Sequence, residues 1–227
     1  MRVIVTVKVI ISIIMVVWLT MIKNTVKAYK NNIWKLTCVL LLAPFILGGC
    51  GKSIDVTKSD TTAIYIGKDG NVISTIVEDF SASYYDLDEM KTMIEEEVSE
   101  YNSSKGQDLI TFQDAVKEDT FVRVTMTYKN TASYAEFNNI TLFCGSYEDM
   151  KAKGYSLPST LVNSSGDKID VSSILEDQIV VVMDEKIGFY CYDKIAYAPK
   201  ESVWNGNKNV DLSAVEDDLC YIVLKAD

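Results

Sequence analysis

The chain is divided by charge at a single point. All 32 acidic residues lie after Cys50; the residues before it are apolar, basic or neutral polar. A segment without acids and one rich in them obey different constraints, so they fold as different objects. Before the boundary, Val3 to Ile22 is an apolar run interrupted by Lys8, long enough at 20 residues for a membrane helix. Lys23, Lys27, Lys30 and Lys35 follow, and then a second apolar run from Leu36 to Leu47, broken only by Thr37 and Pro44. Those 12 residues are too few to cross a hydrocarbon core of about 30 Å as a helix, but they suit the apolar part of a secretory signal behind its positive flank. Met21 opens a signal of ordinary proportions and is favoured as the start. Were Val3–Ile22 a real helix, the lysines after it would still hold that loop inside the cell and send the chain beyond Cys50 outside.

The second apolar run ends in Leu47-Gly48-Gly49-Cys50. Small side chains just ahead of the cysteine let an extended backbone enter a peptidase cleft. This motif, with its flanks, resembles the signal of bacterial surface lipoproteins, and the resemblance covers about a fifth of the chain. It implies cleavage before Cys50, attachment of two palmitate-type acyl chains to that residue's sulfur, and display on the extracytoplasmic face of the cell membrane. Each buried methylene contributes about 0.8 kcal/mol, so one chain holds marginally and two hold stably. The part after Cys50 is similar to small lipoproteins of uncharacterised function, mostly from Gram-positive bacteria, a resemblance silent on activity. Solute-receptor lipoproteins are usually larger, with two lobes around a cleft.

The organisation expected is therefore a leader over 1–49, a lipidated cysteine and flexible tether over 50–60, and an acidic α+β domain over 61–227. From Cys50 onward 16 basic residues face 32 acidic ones, a net charge of −16. Such a body is repelled by the phosphates of nucleic acid, so no nucleic-acid partner is expected. Its one arginine, Arg123, makes no cluster for gripping phosphate. A chain of this size buries about 70% of its unfolded surface and needs no metal or disulfide to hold it. Cys144, Cys191 and Cys220 are odd in number; Cys191 and Cys220, both in expected strands, are the pair better placed to close, and buried free thiols fit the sequence at least as well.

The elements follow from pattern. Ala63–Ile66 and Val72–Val77 flank Gly67-Lys68-Asp69-Gly70-Asn71, a hairpin signal because glycine takes positive φ freely. Asp86–Tyr101 reads as the one long helix, with Asp86 as cap, Glu89 three residues on, and a stripe of Leu87, Met90, Ile94, Val98 and Tyr101; Asn102 to Gly106 reads as the turn that ends it. Leu109–Val116 and Phe121–Tyr128 read as strands, the second alternating apolar and polar as in an antiparallel sheet with one wetter face. Short helical turns are expected at Ala132–Asn138 and Tyr147–Lys153, and strands at Ile140–Cys144, Ile179–Met183, Ile187–Tyr192, Ile195–Ala198 and Leu219–Leu224. The fold class is α+β, an antiparallel sheet with one long helix laid on it and short helical turns. Gly154 to Pro158 is the place where two subdomains would divide.

Chemistry is nearly absent from the sequence. No histidine occurs anywhere, which removes Ser-His-Asp and Cys-His pairs and the commonest zinc ligand. No glycine-rich phosphate loop and no CxxC spacing appears, and no cofactor is expected. A glycosidase works with two carboxylates alone, and Asp184-Glu185 after an apolar strand is the pair best marked for that, although a strand-end turn explains it more simply. Asp86, Asp88 and Glu89, or Glu216, Asp217 and Asp218, are oxygen ligands of the kind calcium takes, but a helix start favours acids through its dipole and neither cluster has a wrapping loop. Tyr84, Tyr85, Tyr190, Tyr192, Tyr197 and Trp204 would form a stacking surface if exposed together, whereas tyrosines also suit half-buried strands. The function expected is a non-enzymatic binding or envelope-support module, held to the membrane by its lipid anchor at Cys50 and meeting an envelope protein or glycan. Its rivals are a histidine-free carbohydrate-active enzyme and a calcium-dependent adhesion module.

Overall fold

The computed structural model describes residues 55–226, so the leader, the proposed start at Met21 and Cys50 lie outside the described residues. Ile54–Asp227 forms one compact unit. Its architecture is α+β: two largely antiparallel sheets, one long helix and, among the described residues, two short ones.

The long helix α1 spans Leu87–Lys105. It starts where expected because the Asp86 side chain accepts hydrogen bonds from the amides of Asp88 and Glu89, satisfying donors that the first turn leaves free. It ends four residues later than the apolar stripe suggests, at Gly106, which takes φ 64° and returns its amide to the carbonyls of Asn102 and Ser103. The polar stretch that reads as a turn stays helical because Asn102 has a partner elsewhere. Its Oδ1 accepts from the amides of Leu109 and Ile110, and its Nδ2 donates to the Ile110 carbonyl at 2.8 Å. One side chain thus fastens the helix end to the strand that follows.

Strands are numbered in chain order. The seven-stranded sheet runs β3 (Ile110–Glu118), β4 (Phe121–Tyr128), β2 (Val72–Asp79), β1 (Ala63–Ile66), β7 (Gly188–Cys191), β10 (Asn209–Asp211), β9 (Val203–Trp204). The four-stranded sheet runs β5 (Leu142–Ser146), β6 (Ile179–Met183), β11 (Cys220–Leu224), β8 (Ile195–Tyr197). The β1–β2 hairpin closes through Gly67 and Asn71, with Gly70 at φ 79°. One pairing is parallel, β1 with β7, across more than a hundred residues of chain. Short helices α2 (Thr131–Asn138) and α3 (Tyr147–Ala152) begin on the side chains of Asn130 and Ser146.

Strand periodicity assigns side chains to two apolar clusters. On β6 and β11, Val181, Met183, Cys220, Ile222 and Leu224 join the main core, which also takes Ile64, Ile66, Val124, Met126, Tyr128 and Phe189 from the large sheet. Their neighbours Val180, Val182 and Val223 face the other way, into a second cluster with Met150, Leu157, Leu161, Ile169 and Ile174. The segment after Gly154 therefore packs onto the small sheet rather than forming a core of its own. Val98 of α1 and Tyr134 of α2 close the main core.

Replacing Asn102 tests its bridging role. Asn102→Ala takes the partner from the Ile110 amide and carbonyl, while the Leu109 amide keeps its bond to the Gln107 carbonyl, and is expected to lower stability by about 2 kcal/mol in urea unfolding. Asn102→Asp keeps the acceptor, loses the donor, and should fall between.

Candidate functional site

The carboxylate pair marked in the sequence lies where β6 runs out. Asp184 accepts from the Thr141 amide through Oδ2 at 3.1 Å, while its own amide donates to the Thr141 carbonyl, so it binds the end of β6 to the chain entering β5. Glu185 turns inward and is 8% exposed. Tyr134, set on the first turn of α2, donates its hydroxyl to Glu185 Oε2 at 2.7 Å. The Tyr134 ring meets Tyr128 of β4 edge-on, centroids 4.9 Å apart. Asn138, one turn further along α2, donates to the Tyr128 hydroxyl at 3.4 Å and to the Tyr134 carbonyl at 2.9 Å. A buried carboxyl, two phenols and an amide thus join α2, β4 and the end of β6.

Burial dominates the electrostatics. It pushes the Glu185 carboxyl up to about 7; the Tyr134 hydroxyl opposes that rise and the neighbouring Asp184 charge adds to it. Burial likewise raises the Tyr128 and Tyr134 hydroxyls, with Glu185 adding to both shifts. Near neutral pH the cluster holds or releases one proton, and the proton belongs to Glu185. Both carboxyls of the pair are engaged by protein groups, Asp184 by a backbone amide and Glu185 by a phenol.

The other residues that the sequence singled out are dispersed. Asp86 caps α1. Glu216, Asp217 and Asp218 are exposed before β11, and among the described residues no group of three or more acidic or cysteine side chains is placed to hold a metal ion. Tyr192 and Trp204 pack against the main core and Tyr197 against the second cluster. Tyr190 is half-buried on β7, and Tyr85 stacks on Phe80 at 4.9 Å. Of the six aromatics only Tyr84 is exposed, so they form no common stacking surface. Cys191 and Cys220 stand in different sheets and all three described cysteines are free thiols. Burial raises the thiols of Cys144 and Cys191 to about 11 and about 12. Sequence reasoning missed Tyr134 as the partner of Glu185 and Tyr128 behind it; the only signal was an acid inside an apolar context, with nothing to name what lies across from it. Among the described residues no helix is long and apolar enough to cross a membrane.

Set against protein-family models, curated proteins and solved structures, the chain matches none.

The raised carboxyl gives a stability prediction with a definite sign. Glu185 ionises at an ordinary value of 4.5 when unfolded and at about 7 when folded, so its contribution is fully present below the unfolded value and is lost as pH rises through the folded one. Urea unfolding across that window should show Glu185→Gln gaining on the native protein with rising pH, by about 3 kcal/mol in all. Equal pH profiles for the two would refute it.

Proposed function

We propose that the protein is a lipid-anchored module of the extracytoplasmic membrane face, binding or supporting a component of the cell envelope without catalysing a reaction. The observation that carries this reading is Leu47-Gly48-Gly49-Cys50, which closes a 12-residue apolar run behind a lysine-bearing flank and precedes a body of net charge −16. The first described turn supports it. Val56–Lys58, capped by Asp55, begins only a few residues beyond Cys50, so an acylated cysteine there leads almost directly into a folded domain. A binding role is favoured over catalysis by the commitments of the marked carboxylates: Asp86 holds a helix start, Asp184 a strand end and Glu185 a buried phenol.

Expression in a bacterial host that processes lipoproteins tests the anchor. The native chain is expected to take up labelled palmitate and to sediment with membranes, with an intact mass equal to the chain from Cys50 plus its acyl groups. Cys50→Ala is expected to lose the label. An unacylated Cys50 or a retained leader in the native protein overturns the reading.

A further inference from the structure

Among the described residues five large apolar side chains stand exposed; Tyr84, Val116 and Phe121 are tied to the end at which the chain enters, while Leu175 precedes β6 and Val203 lies on β9. The turn Val56–Lys58 packs on β1 and β2 with Val56 buried. Arg123, near the start of β4, then takes hold of the entering chain: its Nε donates to the Ser59 carbonyl at 3.2 Å, and its guanidinium reaches Asp60 at 3.6 Å and Glu118 beside it. Register puts the β3–β4 hairpin tip at this same end, since Phe121 pairs with both Glu118 and Asp79 and Arg123 pairs with Val116 and Val77. Phe121 is 52% exposed and Val116 44% exposed on the hairpin. The tip is fastened sideways by the Phe80 amide, which donates to the Thr120 carbonyl. Phe80 stacks on Tyr85, Tyr85 meets Tyr84 at 4.8 Å, and Tyr84 stands 69% exposed. Lys117 lies over the Phe80 ring.

Covalent geometry then limits what these side chains face. The five peptide steps from Cys50 to Asp55 reach at most about 18 Å when fully extended. Val116 and Phe121 flank Arg123, which holds the entering chain, and Tyr84 joins them through Tyr85 and Phe80 at the hairpin tip, whereas Trp204 on β9 lies five strands from β4, about 24 Å across the sheet at ordinary strand spacing. Resting on the lipid-anchor reading above, we propose that this rim is a membrane-contact surface, with Phe121 and Tyr84 seated among the headgroups of the leaflet that holds Cys50. Aromatic side chains with an apolar body are suited to that depth. Charge does not drive the contact: Lys58 pairs with Asp55, and Arg123 with both Asp60 and Glu118, two cations against three acids, so the rim keeps a net negative charge. The occupant is therefore a zwitterionic lipid surface taken by apolar contact.

The test uses the acylated protein in phosphatidylcholine vesicles whose acyl chains are brominated near the headgroup. Once the leader is removed Trp204 is the one indole, so it reports on the far edge in the native protein, and Tyr84→Trp and Phe121→Trp in a Trp204→Phe background report on the rim. Both rim indoles are expected to lose most of their emission to brominated lipid, at low and at high salt, while Trp204 keeps its emission. Because Tyr84 is 69% exposed and touches only the edge of Tyr85 among the rings, its replacement by another aromatic keeps the fold, and the result stands even if the Phe121 variant folds poorly. Intact mass of the same preparation separates the failures. Unquenched rim indoles above a diacylated Cys50 overturn the contact and leave the anchor; an unacylated Cys50 overturns both. Rim indoles shielded from aqueous acrylamide yet untouched by brominated lipid assign the rim to a protein partner and also overturn the proposal.

Discussion

The structure depends on two strands being buried on both faces. β6 and β11 pair through Cys220↔Met183, Tyr221↔Val182, Ile222↔Val181 and Val223↔Val180, so every step along them sends one side chain into the main core and the next into the second cluster. That is why Ile179–Met183 is an unbroken apolar run while β4 alternates. A strand with one wet face needs polar residues at every second position; one sandwiched between two apolar layers excludes them. The large sheet, both short helices and the segment after Gly154 are arranged around this pair.

Such a centre makes polar groups at its margin costly, and the margin is where Glu185 sits. A carboxyl withdrawn from water is tolerated when a donor meets it and when its proton can stay on. Tyr134 supplies the donor, and the raised ionisation supplies the second condition. Tyr134 is itself held by Tyr128 and by the turn of α2 that Asn138 closes. The cluster therefore acts as a polar clasp between a helix and two sheets, giving directionality that the surrounding aliphatic side chains lack.

Local features were legible in the sequence and non-local ones were not. The stripe of α1, its Asp86 cap, the Asp69-Gly70 hairpin and the alternation of β4 are each contained within a few neighbouring residues, and each appears where the pattern puts it. The helix end was misplaced because what keeps Asn102 to Lys105 helical is a contact eight residues away. The division into two sheets was illegible for the same reason carried further: nothing in Ala63–Ile66 says that its second neighbour is Gly188–Cys191, running parallel. The acidic pair could be seen as unusual, but the phenol that gives Glu185 its character lies on a different helix 51 residues earlier. Cys191 and Cys220 looked close in sequence order and were divided by topology between two sheets.

Charge placement brings these levels together. The body after Cys50 carries a large negative excess, and an anionic bilayer repels it in proportion to how closely its uncompensated acids approach. The acids nearest the tether are compensated only in part: the single arginine of this body binds Asp60, Glu118 and the Ser59 carbonyl at once, with its side chain 19% exposed. Elsewhere the acids stand outward, as Glu95, Glu96 and Glu100 do on the solvent side of α1. On the lipid-anchor proposal, charge therefore opposes an anionic leaflet, and apolar contact has to hold the rim against a zwitterionic one.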